Sequence, residues 1–119
     1  MIYKKIIFKC NSNSSWFENA SLSNYLPKNY VFGARTYASY YANVPRLLRK
    51  NIVLPNEFLN KDINNFFVFV TLESEANITC DYFVDKTTGS FSIYFRKRDG
   101  SSWNENSAVW FNYTVVINH

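Results

Sequence analysis

Residues 107–118, SAVWFNYTVVIN, place Val109, Phe111, Tyr113, Val115 and Ile117 at every second position. That is the period of a strand with one buried face. The alternate positions are unusual. Ala108, Trp110, Thr114 and Val116 make the second face nearly as apolar as the first, with Asn112 among them. A sandwich strand ordinarily turns polar residues outward. Leaving Trp110 and Val116 in water forgoes roughly 1.5–3 kcal/mol for each. The pattern therefore predicts a cover over this face, supplied either by the N-terminal half or by another copy of the chain.

The same period recurs upstream. Residues 64–74, NNFFVFVTLES, set Phe66, Val68, Val70 and Leu72 against Phe67, Phe69, Thr71 and Glu73. Residues 76–85 alternate Ile78, Cys80, Tyr82 and Val84 with Thr79, Asp81 and Phe83, and read as a strand. A KTTG turn leads into SFSIYFRKR, where Phe91, Ile93 and Phe95 face one way. A short strand is expected at 50–54, ended by Pro55, and another at 2–9, IYKKIIFK. The segment 29–50 is ambiguous. Tyr37, Tyr40 and Tyr41 fit a helical stripe, but Tyr, Val and Phe equally favour extended chain, and the latter is the reading adopted. Short strands between turn signals, with no long helical pattern, predict an all-β antiparallel sandwich of about six strands.

Composition narrows the class. The 119 residues fit one domain, with 47% apolar and 18% charged, enough to fill a core and too little charge for a disordered tail. Residues 1–49 form an N-terminal strand and irregular segment, and 50–118 the sandwich proper. The net charge of +4 is uneven. Residues 1–60 carry eight basic against two acidic side chains, +6, and residues 61–119 five against seven, −2. The thiols Cys10 and Cys80 lie far apart and the one His is His119, which excludes a zinc site of ordinary spacing and leaves a cysteine nucleophile without a nearby base. No cofactor is expected. The N-terminus lacks a secretory pattern and no apolar run approaches a membrane span, so the expectation is a soluble, cytosolically made protein with reduced thiols.

From about Asn51 onward the order of features resembles the H-type lectin domain. The carriers are NIVLPNEF, then FFVFVTL, then TTGSF, and a closing strand of alternating apolar residues around an aromatic, AVWFNYTVVI. Similar domains sit at the tips of phage tail fibres. The resemblance implies a sandwich that trimerises around an apolar axis and binds sugars near subunit boundaries, with Trp110, Val116, Phe67 and Phe69 as its interface. It also implies a phage tail or similar virion component, assembled in the host cytoplasm. The family's sugar-contacting Trp–His pair falls here near Arg98 and Asp99, so its galactose-type specificity does not carry over.

The loop RKRDGSSWNEN nevertheless has chemistry suited to carbohydrate. Trp103 offers a ring for the C–H face of a sugar, and Arg96, Arg98, Asp99, Asn104, Glu105 and Asn106 offer donors and acceptors for hydroxyls. The expected function is non-enzymatic recognition of cell-surface polysaccharide by a homo-oligomer, alongside other virion proteins. Two alternatives stand beside it: a purely structural virion or assembly protein, and a small adaptor or immunity protein. The stretch RTYASYYANVPRLLRK mixes Arg35, Arg46, Arg49 and Lys50 with three tyrosines, as single-strand nucleic-acid binders do, but the acidic second half argues against it.

Overall fold

A computed structural model describes residues 29–118; the expected strand at 2–9, Cys10 and His119 lie outside them. Within this range the chain is all-β. Six strands run β1 (Asn29–Tyr40), β2 (Leu47–Val53), β3 (Phe66–Leu72), β4 (Cys80–Thr87), β5 (Ser90–Lys97) and β6 (Ala108–Asn118). They form one antiparallel sheet in the order β3-β6-β1-β2-β5-β4. The sheet folds back on itself at a corner where β1 and β2 share two register pairs, Ser39 with Arg49 and Tyr40 with Leu48. Its halves, β3-β6-β1 and β2-β5-β4, face each other as the two layers of a sandwich.

Period-two alternation sends Phe66, Phe111, Val115 and Ile117 inward from one layer and Leu48, Phe91, Ile93 and Phe95 from the other, each 0–1% exposed. Rings meet across the gap: Phe111 lies 5.1 Å from Phe95, Phe66 6.2 Å from Phe91, and Tyr113 meets Phe91 edge-on at 6.0 Å. Burying each such ring contributes roughly 1.5–3 kcal/mol. The far edges of the sheet, β3 and β4, nearly close the structure. Lys86 on β4 reaches across to donate to the Phe66 carbonyl at 3.0 Å, with its ammonium 5.3 and 5.4 Å from the Phe66 and Phe67 ring centres.

The alternation in 76–85 holds only from Cys80 on. Residues Ser74–Thr79 form a short helix, α1, instead of the start of a strand. Backbone N–H groups of Ala76 and Asn77 both bond the Glu73 carbonyl, and Thr79 Oγ1 and Cys80 Sγ reach back to the carbonyls of Glu75 and Ala76. These local bonds take over where the register of β4 with β5 stops, at Cys80 and Lys97, beyond which the Arg98 N–H still donates to the Thr79 carbonyl at 3.0 Å. Ile78 is consequently left 75% exposed. Cys80 itself is a free, fully buried thiol whose pKa burial pushes up.

Segment 29–50 resolves as the extended reading, with β1 twelve residues long. At Gly33 the chain needs glycine, since a Cβ there would run into the Tyr113 carbonyl of the paired strand. The turn between β4 and β5 uses Gly89 at a φ of 81°, and its carbonyl accepts from Leu54 N at 2.9 Å.

Candidate functional site

The side chain with the strongest sequence signal for sugar, Trp103, is partly buried. Its Nε1 donates to the Phe95 carbonyl at 3.1 Å, its backbone N–H to Pro45 at 3.0 Å, and Lys97 lies 5.1 Å over its ring. The polar residues of the loop mostly bond one another. Asp99 accepts from Ser101 N and Oγ at 2.9 and 2.6 Å, which holds its carboxyl below its usual range. Asn104 Oδ1 accepts from Asn106 N at 3.0 Å and Ser107 Oγ at 3.1 Å. Arg98 pairs with Asp81 at 3.3 Å and donates to the Asn77 carbonyl at 2.8 Å. Arg96 lies opposite Asp81 in the β4–β5 register, the carboxylate with which Arg98 also pairs. The six residues singled out in the sequence therefore do not converge on one point.

Trp103 does converge with residues that were not grouped with it. Where α1, the loop and the start of β6 meet, a groove of about 520 Å³ opens, lined by Trp103, Trp110, Glu73, Glu75, Ile78 and Thr79 among others. Its lining mixes apolar side chains with carboxylates and a hydroxyl. Alternation alone hid this grouping, because α1 brings Glu75, Ile78 and Thr79 to the groove and a strand there would have sent neighbouring side chains to opposite faces.

One wall is held by an exposed ion pair. Arg35 Nε donates to Glu73 Oε2 at 2.7 Å and Nη2 to Oε1 at 3.4 Å, while the guanidinium lies 4.1 Å from the Trp110 ring centre. The Arg35 hydrogen bond holds the Glu73 carboxyl below its usual range, with desolvation pulling the other way. A carboxyl whose folded pKa is depressed stabilises above its unfolded pKa and loses that contribution as pH falls through the folded value. Glu73→Gln should therefore lower the urea midpoint slightly at neutral pH, and the difference from wild type should shrink as the pH falls below the usual carboxylate range. An unchanged difference at the lower pH would mean the pair contributes nothing through ionisation. Glu75 makes no side-chain ion pair among the described residues.

The outer faces of the two layers differ. On β3-β6-β1 the cross-strand rows read Phe67–Val116–Val31, Phe69–Thr114–Gly33, then Thr71–Asn112–Arg35, and Trp110–Tyr37. Phe67, Phe69, Val116 and Trp110, expected together on sequence grounds, all lie on this face, with Phe69 59% and Trp110 41% exposed. On β2-β5-β4 the face is polar and aromatic: Arg49 and Asn51 both bond Ser92 Oγ, at 3.3 and 2.9 Å, beside the stacked rings of Phe83 and Tyr94. The basic, tyrosine-rich segment is divided between these faces. Arg35 and Tyr37 belong to one, Arg49 to the other, and Arg46 donates to the Gly100 carbonyl.

Among the described residues no cluster of three or more His, Cys, Asp or Glu could hold a metal ion, and no helix is long and apolar enough to cross a membrane. Comparison with family models, with curated proteins and with solved structures finds no match for this chain.

Proposed function

We propose that this chain is a non-enzymatic carbohydrate-recognition module that acts as a homo-oligomer, in a phage tail or similar virion component that engages cell-surface polysaccharide. The observation that carries the reading is the groove in which Trp103 and Trp110 meet Glu73 and Glu75. A pyranose offers an apolar C–H face and a rim of hydroxyls. Indole rings take the first and carboxylate oxygens accept from the second. The acidic rim favours neutral or amino sugars over acidic ones.

Binding to a glycan array, followed by titration of the best hit, tests the reading. Glu75→Gln removes the charge from an exposed acceptor without touching the core, and should weaken binding about tenfold to a hundredfold, the worth of hydrogen bonds to a charged group. Trp103→Ala should abolish binding, with circular dichroism checking that the fold survives loss of the Phe95 bond. No glycan bound by the wild-type chain would sink the proposal. A second reading, a structural virion or assembly protein, is favoured by the exposed Phe67, Phe69 and Trp110, and an assembly-competent chain that binds no sugar would favour it.

A further inference from the structure

The outer face of β2-β5-β4 carries two arginines whose hydrogen-bond donors the fold leaves largely unused. We propose that Arg49 and Arg96 on this face bind the carboxylate of an acidic sugar, a uronic acid within a polysaccharide. The site shares no residue with the groove of Trp103 and Trp110 and would add a second point of contact to it.

Arg49 is held in place by its neighbours. Its Nε donates to Ser92 Oγ at 3.3 Å, and its guanidinium carbon lies 5.2 Å from the Tyr41 ring centre. Ser92 points outward between the inward Phe91 and Ile93, yet it is only 6% exposed, and it donates to Asn51 Oδ1 at 2.9 Å. This covered hydroxyl therefore orders the polar groups around it. The Nη pair of Arg49 and the Nδ2 of Asn51 remain, and neither has a hydrogen-bond partner among the described residues. Register sets Arg49 opposite Tyr94 and Leu47 opposite Arg96. The two arginines are thus diagonal neighbours across β2 and β5, about 7–8 Å apart. Arg96 makes no hydrogen bond or ion pair among the described residues, because Asp81 opposite it is held by Arg98 at 3.3 Å.

Charge and shape select the ligand. The strands place Arg49, Arg96, Asp81 and Asp85 on this face, with Arg98 just beyond β5, while Lys50 turns toward Tyr37 at 6.0 Å. Asp81 is neutralised by Arg98, and Asp85 stands on β4, two strands from Arg49. The positive excess therefore falls on β2 and β5 and draws an anion there. The free Nη pair of a guanidinium meets a carboxylate with two parallel hydrogen bonds, a fit that a lysine cannot reproduce. The flanking groups suit a sugar. Asn51 Nδ2 offers a donor and Asp85 an acceptor for hydroxyls, and the stacked Phe83 and Tyr94 offer apolar surface for ring C–H groups.

NMR titration of the isotope-labelled chain with tri-galacturonate reads the outcome, with its methyl ester as the uncharged counterpart and glycerol phosphate as the other oxyanion. Shifts should map to β2 and β5, and the ester should bind about tenfold more weakly, the worth of a hydrogen bond to a charged group. Arg49→Lys keeps the charge and loses the fork, and should also weaken binding about tenfold. Arg96→Gln should weaken it to a similar degree. Both side chains point away from the core, so the variants should keep the fold, which circular dichroism checks. No shift at about 10 mM trisaccharide, equal binding of the ester, an Arg49→Lys variant as tight as wild type, or glycerol phosphate bound at least as tightly would each overturn the carboxylate site. Shifts confined to the indole N–H groups of Trp103 and Trp110 would put the acid in the groove, overturning this site while leaving the recognition reading standing.

Discussion

Phe111→Ala is expected to cost about 3–5 kcal/mol in chemical unfolding, the range for truncating a fully buried Phe. Phe111 is completely buried on β6, the centre of its layer, and its ring meets Phe95 of the opposite layer at 5.1 Å and Tyr113 at 6.3 Å. The hole left behind borders both layers, and β6 is hydrogen-bonded on both sides, so neither neighbour can collapse freely into it. A domain of this size has a total stability of about 5–15 kcal/mol, so the variant should be marginal at 37 °C or unfolded. Phe83→Ala deletes the same ring from a position 42% exposed, where Phe83 stacks on Tyr94. Its cost should stay near 1 kcal/mol. Equal costs for the two would contradict the assignment of inner and outer faces.

The second large effect is at the turn. Gly89→Ala should cost about 2–5 kcal/mol, combining two penalties. An L side chain at a φ of 81° costs about 1–2 kcal/mol, and the new Cβ meets the Leu59 carbonyl oxygen, with the carbonyl carbon at 3.1 Å. Forcing atoms into that space adds about 1–3 kcal/mol. Gly100→Ala separates the two penalties. Gly100 has nearly the same φ, 77°, but a Cβ there meets only the end of Arg46 at 4.0 Å. Its cost should be the conformational penalty alone. If Gly100→Ala proves as damaging as Gly89→Ala, the close approach of the 59–60 turn to the β4–β5 hairpin is wrong.

Much of this fold is legible in the sequence because one face of each strand is buried. Phe91, Ile93 and Phe95, and the inward set of the last strand, occupy the faces that alternation assigns them. The outward exposure of Trp110, Phe67 and Phe69 follows from the same parity. Two things were hidden. Parity is blind to whether a strand partner exists, so Ile78 looked like the start of β4 although it has no register partner and α1 forms. Sequence order is equally blind to which strands become neighbours. The contact between β1 and β6, residues 29–39 against 108–118, joins the two ends of the described chain, and no local signal announces it. The loop at 98–107 was readable in composition but not in direction. Its amides and carboxylate turn inward on the loop, and Trp103 finds its polar partner in the backbone of β5.

The corner where β1 passes into β2 has one further consequence. Among the described residues two register pairs form the spine and one Lys86 hydrogen bond clasps the opposite edges, so the two layers are bound like a book. Peptide hydrogen bonds hold each cover together, but among the described residues few run between the covers. Cooperativity between them must therefore travel through aromatic contacts, and an agent that loosens apolar packing while sparing hydrogen bonds should open the book before it unravels either cover.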